Sequence, residues 1–215
     1  MLLAPLLSLV TTFVIRKFGT GLIDLHVITS SDAMGAVFAV LLSTLVADFF
    51  LYWYHRLRHA NRILWETHLV HHSDKHMNVT TYARGHFTEL VLLPVVVTAP
   101  ISFLFQLPPV SIAILSLIPR VWEYFTHANL KIGFGRLWWL AVSPDYHRIH
   151  HSIEKKHFDK NFATWFPLWD ILFSTAWRPQ SGERPATGVE GINANSVFEL
   201  FTLPFVRWSK LSRKN

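Results

Sequence analysis

The chain has 215 residues, enough for one domain with a sizeable core. With 51% hydrophobic residues, 16% charged, 9 Trp and 17 Phe, it is too apolar for an ordinary soluble domain and points to a membrane protein. The +6 charge comes from scattered basic residues, which argues against nucleic acid and suits loops facing an anionic membrane; the lack of cysteine excludes disulfides, a thiolate haem ligand and a cysteine-ligated cluster.

In chain order, Met1 to Ile15 is apolar without the basic start or cleavage pattern of a signal peptide. It reads as a short first membrane helix, with a helix lying in the interface as the alternative. Ala36 to Tyr54 is apolar apart from Asp48 and long enough to span a bilayer. His55 to Phe87 is polar, aromatic and rich in histidine. Leu90 to Pro119 carries no charge. As one helix it would run about 45 Å, longer than the hydrocarbon layer, and Pro108-Pro109 interrupts it. The pattern predicts a hairpin of two membrane helices, roughly Glu89 to Gln106 and Pro109 to His127, kinked at Pro94, Pro100 and Pro119. A hairpin returns the chain to the face it left. Of the basic residues, only Arg16 and Lys17 fall in the far-side loop, so the positive-inside rule puts the histidine-rich face in the cytoplasm. Beyond Gly133 the chain is polar and aromatic, and Pro179 to Asn195 is rich in turn formers. Ser196 to Leu211 mixes aromatic and basic residues, which fits either the membrane interface or packing on the domain. The expected fold is an all-α, multi-pass membrane bundle of about three to four helices. A helical cap on its cytoplasmic face carries the histidines, all in one domain spanning 1–215.

Three clusters dominate the polar regions: His55-x-x-x-His59, His68-x-x-His71-His72 and His147-x-x-His150-His151. Positions i, i+3 and i+4 share a helix face, so each cluster gathers its imidazoles in one small volume. Imidazole suits zinc, copper, iron and nickel, and eight are too many for one ion. The pattern predicts a pair of metal ions. His86, three residues before Glu89, and His127, closing a membrane helix, sit where the clusters must gather and are candidate further ligands. His26, His76 and His157 read as loop or supporting residues. Neutral imidazoles leave the metal charge uncompensated, so nearby acids should accept the second ring N–H. Asp48, Glu89, Asp145 and Asp170 are the candidates, each with a plain ion pair to a nearby arginine as the alternative.

These residues resemble the fatty acid hydroxylase superfamily, which includes sterol desaturases, C4-methylsterol oxidases, sphingolipid hydroxylases and alkylglycerol monooxygenases. The resemblance runs from about Ala47 to Trp177. It rests on Asp48 to Arg56, Glu66 to Ser73, Thr126 to Leu130, Pro144 to His151, Asp159-Lys160-Asn161-Phe162, and Trp169 to Phe173. Many members have proline at Phe87, glycine at Ala163 and Ser174, and arginine at Ile171. The resemblance implies a non-haem di-iron, O2-dependent oxygenase of membrane lipids, with zinc able to stand in for iron in a purified sample. No Gly-rich dinucleotide motif or cysteine cluster is present, so a cytochrome, ferredoxin or flavin reductase must supply electrons. A carotenoid hydroxylase or acyl desaturase is the nearest alternative. A bis-histidine haem electron carrier and a metal transporter are the non-enzymatic ones; haem needs only two axial ligands, and a transporter needs ligands deep within the membrane helices.

Overall fold

A computed structural model describes residues 9, 12–13, 16, 21–25, 33–106, 109–192 and 196–212, without the side chains of 90, 109–116 and 212. The expected first membrane helix lies mostly outside these residues, and Lys17, His26 and Pro108 lie wholly outside them.

The described chain is mostly helical. Helix α1, Ala33–Ala60, has 28 residues and is about 42 Å long. Helix α2, Arg62–His72, follows after a single residue. Helix α3 covers Phe87–Leu104. Helix α4, Pro109–His127, starts on a proline, whose missing N–H costs nothing at the first helical position. Among the described residues, α1 and α3 are the two helices long and apolar enough to cross a membrane. Within α3 the hydrogen-bond ladder shifts to a π-helical stretch over Pro94–Thr98. Pro94 has no N–H to donate and crowds the preceding turn, so the ladder widens locally.

The chain divides into two compact units. One comprises residues 1–54 and 90–121. In it, strands β1 (Ile23–Asp24) and β2 (Phe105–Gln106) pair in parallel, Ile23 opposite Phe105. Gly21 runs so close to the backbone of Phe105 that a Cβ there would collide with it. Leu25, Ala39 and Phe105 form a buried cluster, joined by Leu42, Val46, Ile101 and Leu104.

The other unit comprises residues 55–89 and 122–215. Its geometry begins at Asn61, the break between α1 and α2. The Asn61 carboxamide accepts from the backbone N–H groups of Ile63 (2.9 Å) and Leu64 (3.1 Å), capping α2. Helix α5, Pro144–His150, is capped by Ser143, which accepts from the Tyr146 N–H. Helix α6, Leu168–Leu172, follows. Residues 178–192 form no helix, and an isolated bridge ties Thr187 to Ser152. Helix α7, Val197–Ser212, resolves the two readings of the C-terminal segment by side. One side packs on α2: Arg207 pairs with the buried Glu66, and the Trp208 indole donates to the Ile63 carbonyl at 2.9 Å. Another side leaves Val197, Phe198 and Phe201 exposed.

Glu66 is 4% exposed, so removing its partner strands a buried carboxylate. Arg207→Ala is expected to cost about 1–3 kcal/mol, discounted because Arg207 is itself partly exposed. Hydrogen exchange should then speed up across α7; unchanged exchange there would show that the pair does not anchor the helix.

Candidate metal centre

The last turn of α1, the length of α2, the end of α4 and the short α5 together deliver nine histidines. They form two groups whose ligand-type nitrogens lie within 4.8 Å of one another. The first group is His55, His59, His68, His72 and His150; the second is His71, His127, His147 and His151. The two His-x-x-His-His boxes divide reciprocally. From α2, His68 and His72 enter the first group and His71 the second. From the α5 box, His147 and His151 enter the second group and His150 the first. In each box the i and i+4 rings share one group and the i+3 ring crosses to the other.

The ring nitrogens show what these groups are built for. His127 Nδ1 lies 2.6 Å from the Glu123 carbonyl, and His71 Nδ1 lies 3.1 Å from the Thr81 carbonyl. A carbonyl only accepts, so both rings carry their proton on Nδ1, and in a neutral imidazole Nε2 is then a bare lone pair. Those two lone pairs face each other at 3.2 Å. His72 Nε2 has three such neighbours: His59 and His68 at 3.2 Å and His150 at 3.1 Å. One nitrogen cannot satisfy three neighbours through a single proton. His147 Nε2 lies 3.0 Å from His127 and 3.2 Å from His151. His55 Nε2 is buried without a hydrogen-bond partner. A cation at the centre of each group resolves all of these contacts. Metal–nitrogen bonds of about 2.0–2.1 Å put neighbouring ligand atoms about 2.9–3.4 Å apart, the spacing seen here.

The chain also keeps the rings neutral. Burial holds the imidazoles of His68, His71, His72, His147, His150 and His151 well below the usual 6.5, with neighbouring imidazoles pushing the same way. All six are at most 8% exposed.

A family profile described as fatty acid hydroxylase matches residues 40–175, the span that supplies every histidine of both groups. The chain belongs to the fatty acid hydroxylase family. Among its relatives, an alkylglycerol monooxygenase from Danio rerio is 31% identical over 79% of this chain and 36% of its own length. One from Xenopus tropicalis is 31% identical over 62% of this chain and 29% of its own. An ornithine lipid hydroxylase from Rhizobium tropici is 28% identical over 82% of this chain and 53% of its own. This fatty acid hydroxylase chain thus spans about a third to a half of the curated relatives it matches. No solved structure matches it.

Within this family member, the structure gathers every sequence-predicted ligand but one. His86 joins neither group. Its Nδ1 lies 2.9 Å from the Thr88 hydroxyl and its Nε2 3.2 Å from the Phe201 carbonyl in α7. The structure thus places His86 against Thr88 and the backbone of α7 rather than with either histidine group.

The four acids divide as well. Glu89 accepts from His68 Nδ1 at 3.1 Å and pairs with Arg58 at 2.9 Å. Asp145 pairs with Arg184 at 2.6 Å, its alternative reading. Asp48 is fully buried within α1, about two turns before His55. Asp170 reaches no imidazole directly. Its carboxylate accepts from the backbone N–H groups of Phe162 (2.8 Å) and Ala163 (2.9 Å) and the hydroxyls of Thr175 (2.7 Å) and Tyr146 (3.0 Å). It works through the peptide, because the Phe162 carbonyl accepts from His55 Nδ1 at 2.8 Å.

Backbone carbonyls are the supports that sequence reasoning missed: Thr81 for His71, Glu123 for His127, Lys160 for His150 and Phe162 for His55. Any residue type supplies a carbonyl, so composition carries no mark of them. Elsewhere, Ser174, where many members have glycine, adopts φ 59°, a conformation glycine enters freely. His157 is buried between the Ser152 hydroxyl (2.8 Å) and Glu183 (3.1 Å), away from both groups.

Because these imidazoles are held neutral on folding, the unfolded chain binds more protons below pH 6.5, and stability must fall as pH falls through that value. Thermal unfolding of the metal-stripped chain should show a melting temperature that drops steadily from pH 7.5 to 5. A flat profile would mean the rings are not buried as neutral bases.

Proposed function

We propose that the chain is a non-haem di-iron, O2-dependent oxygenase that hydroxylates or desaturates a membrane lipid. One observation carries the reading: nine imidazoles converge on two points, with lone pairs facing one another at 3.0–3.2 Å. The names of the relatives, alkylglycerol monooxygenase and ornithine lipid hydroxylase, support a lipid as substrate over a carotenoid. A bis-histidine haem would use two of the nine rings and leave the rest facing each other without a charge between them.

In this reading His55, His59, His68, His72 and His150 hold one iron, and His71, His127, His147 and His151 hold the other. The bound irons would activate O2 to attack an unactivated C–H bond, chemistry that no side chain performs alone. The protein's own share is orientation and dryness. The four carbonyls and Glu89 hold the Nδ1 protons of His55, His71, His127, His150 and His68, so each ring presents a bare Nε2 inward. Glu89 also places negative charge against a first group of otherwise neutral ligands, and Arg58 anchors it there. The four-histidine group, with one donor fewer, has more room for an outside ligand. Phe162, 1% exposed, packs its ring against His55, His59 and His150 and keeps water from that side.

The substrate approaches from the bilayer, and an external redox protein delivers the electrons. The histidine-bearing unit faces the cytoplasm, and the chain acts as one domain.

His71→Ala removes a ring of the four-histidine group and should abolish lipid oxidation while lowering bound metal. Lipid mass spectrometry of cells carrying the wild-type or His71→Ala chain reads the outcome; identical lipid profiles would refute the assignment. The cysteine-free chain also allows a clean test of sidedness. A Lys156→Cys variant should react with an impermeant maleimide in inside-out vesicles and stay protected in right-side-out ones. The reverse pattern would overturn the orientation.

A further inference from the structure

Residues 159–162 reach three of the five histidines in the first group. The Lys160 carbonyl accepts from His150 Nδ1 at 2.8 Å, and the Phe162 carbonyl accepts from His55 Nδ1 at 2.8 Å. Asp159 lies 3.6 Å from His59 Nδ1. The Phe162 ring contacts the same three imidazoles, with centroids 5.0–5.6 Å apart.

Between the two carbonyls sits Asn161, which touches no histidine ring. It is 0% exposed and has φ 59°, and Asp159 has φ 57°. Asparagine enters this left-handed region more readily than any residue except glycine. Its side chain is fully engaged. Nδ2 donates to the carbonyls of Tyr146 (2.9 Å) and Trp177 (3.0 Å), and Oδ1 accepts from the Trp177 N–H at 2.7 Å. Its own N–H donates to the Thr175 carbonyl at 3.0 Å. One carboxamide thus joins three segments: the turn at 159–163, helix α5, and the stretch after α6. Glycine could make the turn. It could not make those three side-chain hydrogen bonds.

We propose that Asn161 is a positioning residue acting mainly on the five-histidine group, fixing the Lys160 and Phe162 carbonyls that aim His150 and His55. This rests on the two-ion reading above. The second group takes its carbonyl supports from Thr81 and Glu123, which lie on other segments. Loss of the Asn161 side chain should therefore loosen one metal far more than the other. Disturbing groups that orient a ligand typically costs about 10–100-fold in metal affinity.

The test uses the full chain in detergent, stripped of metal and titrated with Co2+. Visible absorption and metal analysis read how many ions bind and how tightly. The wild type should bind two. Asn161→Gly keeps the backbone conformation open and removes only the carboxamide; it should retain one tight ion and bind the other about 10–100-fold more weakly. His127→Ala, in the opposite group, marks the signal of the second site, and that signal should persist in Asn161→Gly. Wild-type affinity at both sites in a folded Asn161→Gly chain would overturn the proposal, as would equal weakening of both. If Asn161→Gly does not fold, Asn161→Asp replaces it: aspartate also enters the left-handed region and keeps the acceptor for the Trp177 N–H, but loses the Nδ2 donor to Tyr146 and Trp177. A selective, smaller weakening of the first site is then expected, and unchanged affinity there would overturn the proposal. A wild type that binds fewer than two ions would instead sink the two-ion reading itself.

Discussion

The structure depends on a repulsion that only a cation removes. His71 and His127 both spend their protons on backbone carbonyls and then point bare lone pairs at each other across 3.2 Å. The same conflict recurs around His72, which faces three nitrogens at once. Folding brings these rings together inside a buried volume, where unpaired polar atoms cost most. The helices, the caps and the carbonyl supports all make sense as devices that hold this arrangement until metal relieves it. Asn61 sets where α2 begins, Ser143 sets where α5 begins, and each helix then splits its histidines between the two groups.

The reciprocal division of the two His-x-x-His-His boxes has a functional consequence. Because each short helix serves both groups, neither group is an independent module. A shift of α2 or α5 moves histidines of both groups together. The remaining ligands break the symmetry. His55 and His59 add two donors to the first group, and His127 adds one to the second. The turn at 159–162 and the Glu89–Arg58 pair support the first group only. The first group thus has more histidines and more supporting contacts than the second.

Much of this was legible in the residues. The histidine spacing pointed to gathered imidazoles, and the charge-free stretch with its double proline pointed to helices at roughly Glu89 to Gln106 and Pro109 to His127, where helices run over Phe87–Leu104 and Pro109–His127. The division of each box between two groups was not legible, because i+3 and i+4 share a helix face and only the partner helices decide which ring goes where. The carbonyl supports escaped for the same kind of reason, since a backbone acceptor leaves no trace in composition. The place of His86 before α3 suggested a ligand, and its contact with the Phe201 carbonyl, more than a hundred residues away in sequence, was not legible from local spacing. Asp170 was a candidate acceptor for a ring N–H; in the structure it accepts from the Phe162 N–H instead, and its reach to His55 passes through the Phe162 peptide.

The central claim is that the chain holds two ions in unequal histidine cages. Mössbauer spectroscopy of the full chain loaded with 57Fe tests it most directly. Two non-haem iron sites of equal abundance, with distinct quadrupole splittings, are the predicted result. A single iron per folded chain, or a haem signal, would contradict the account.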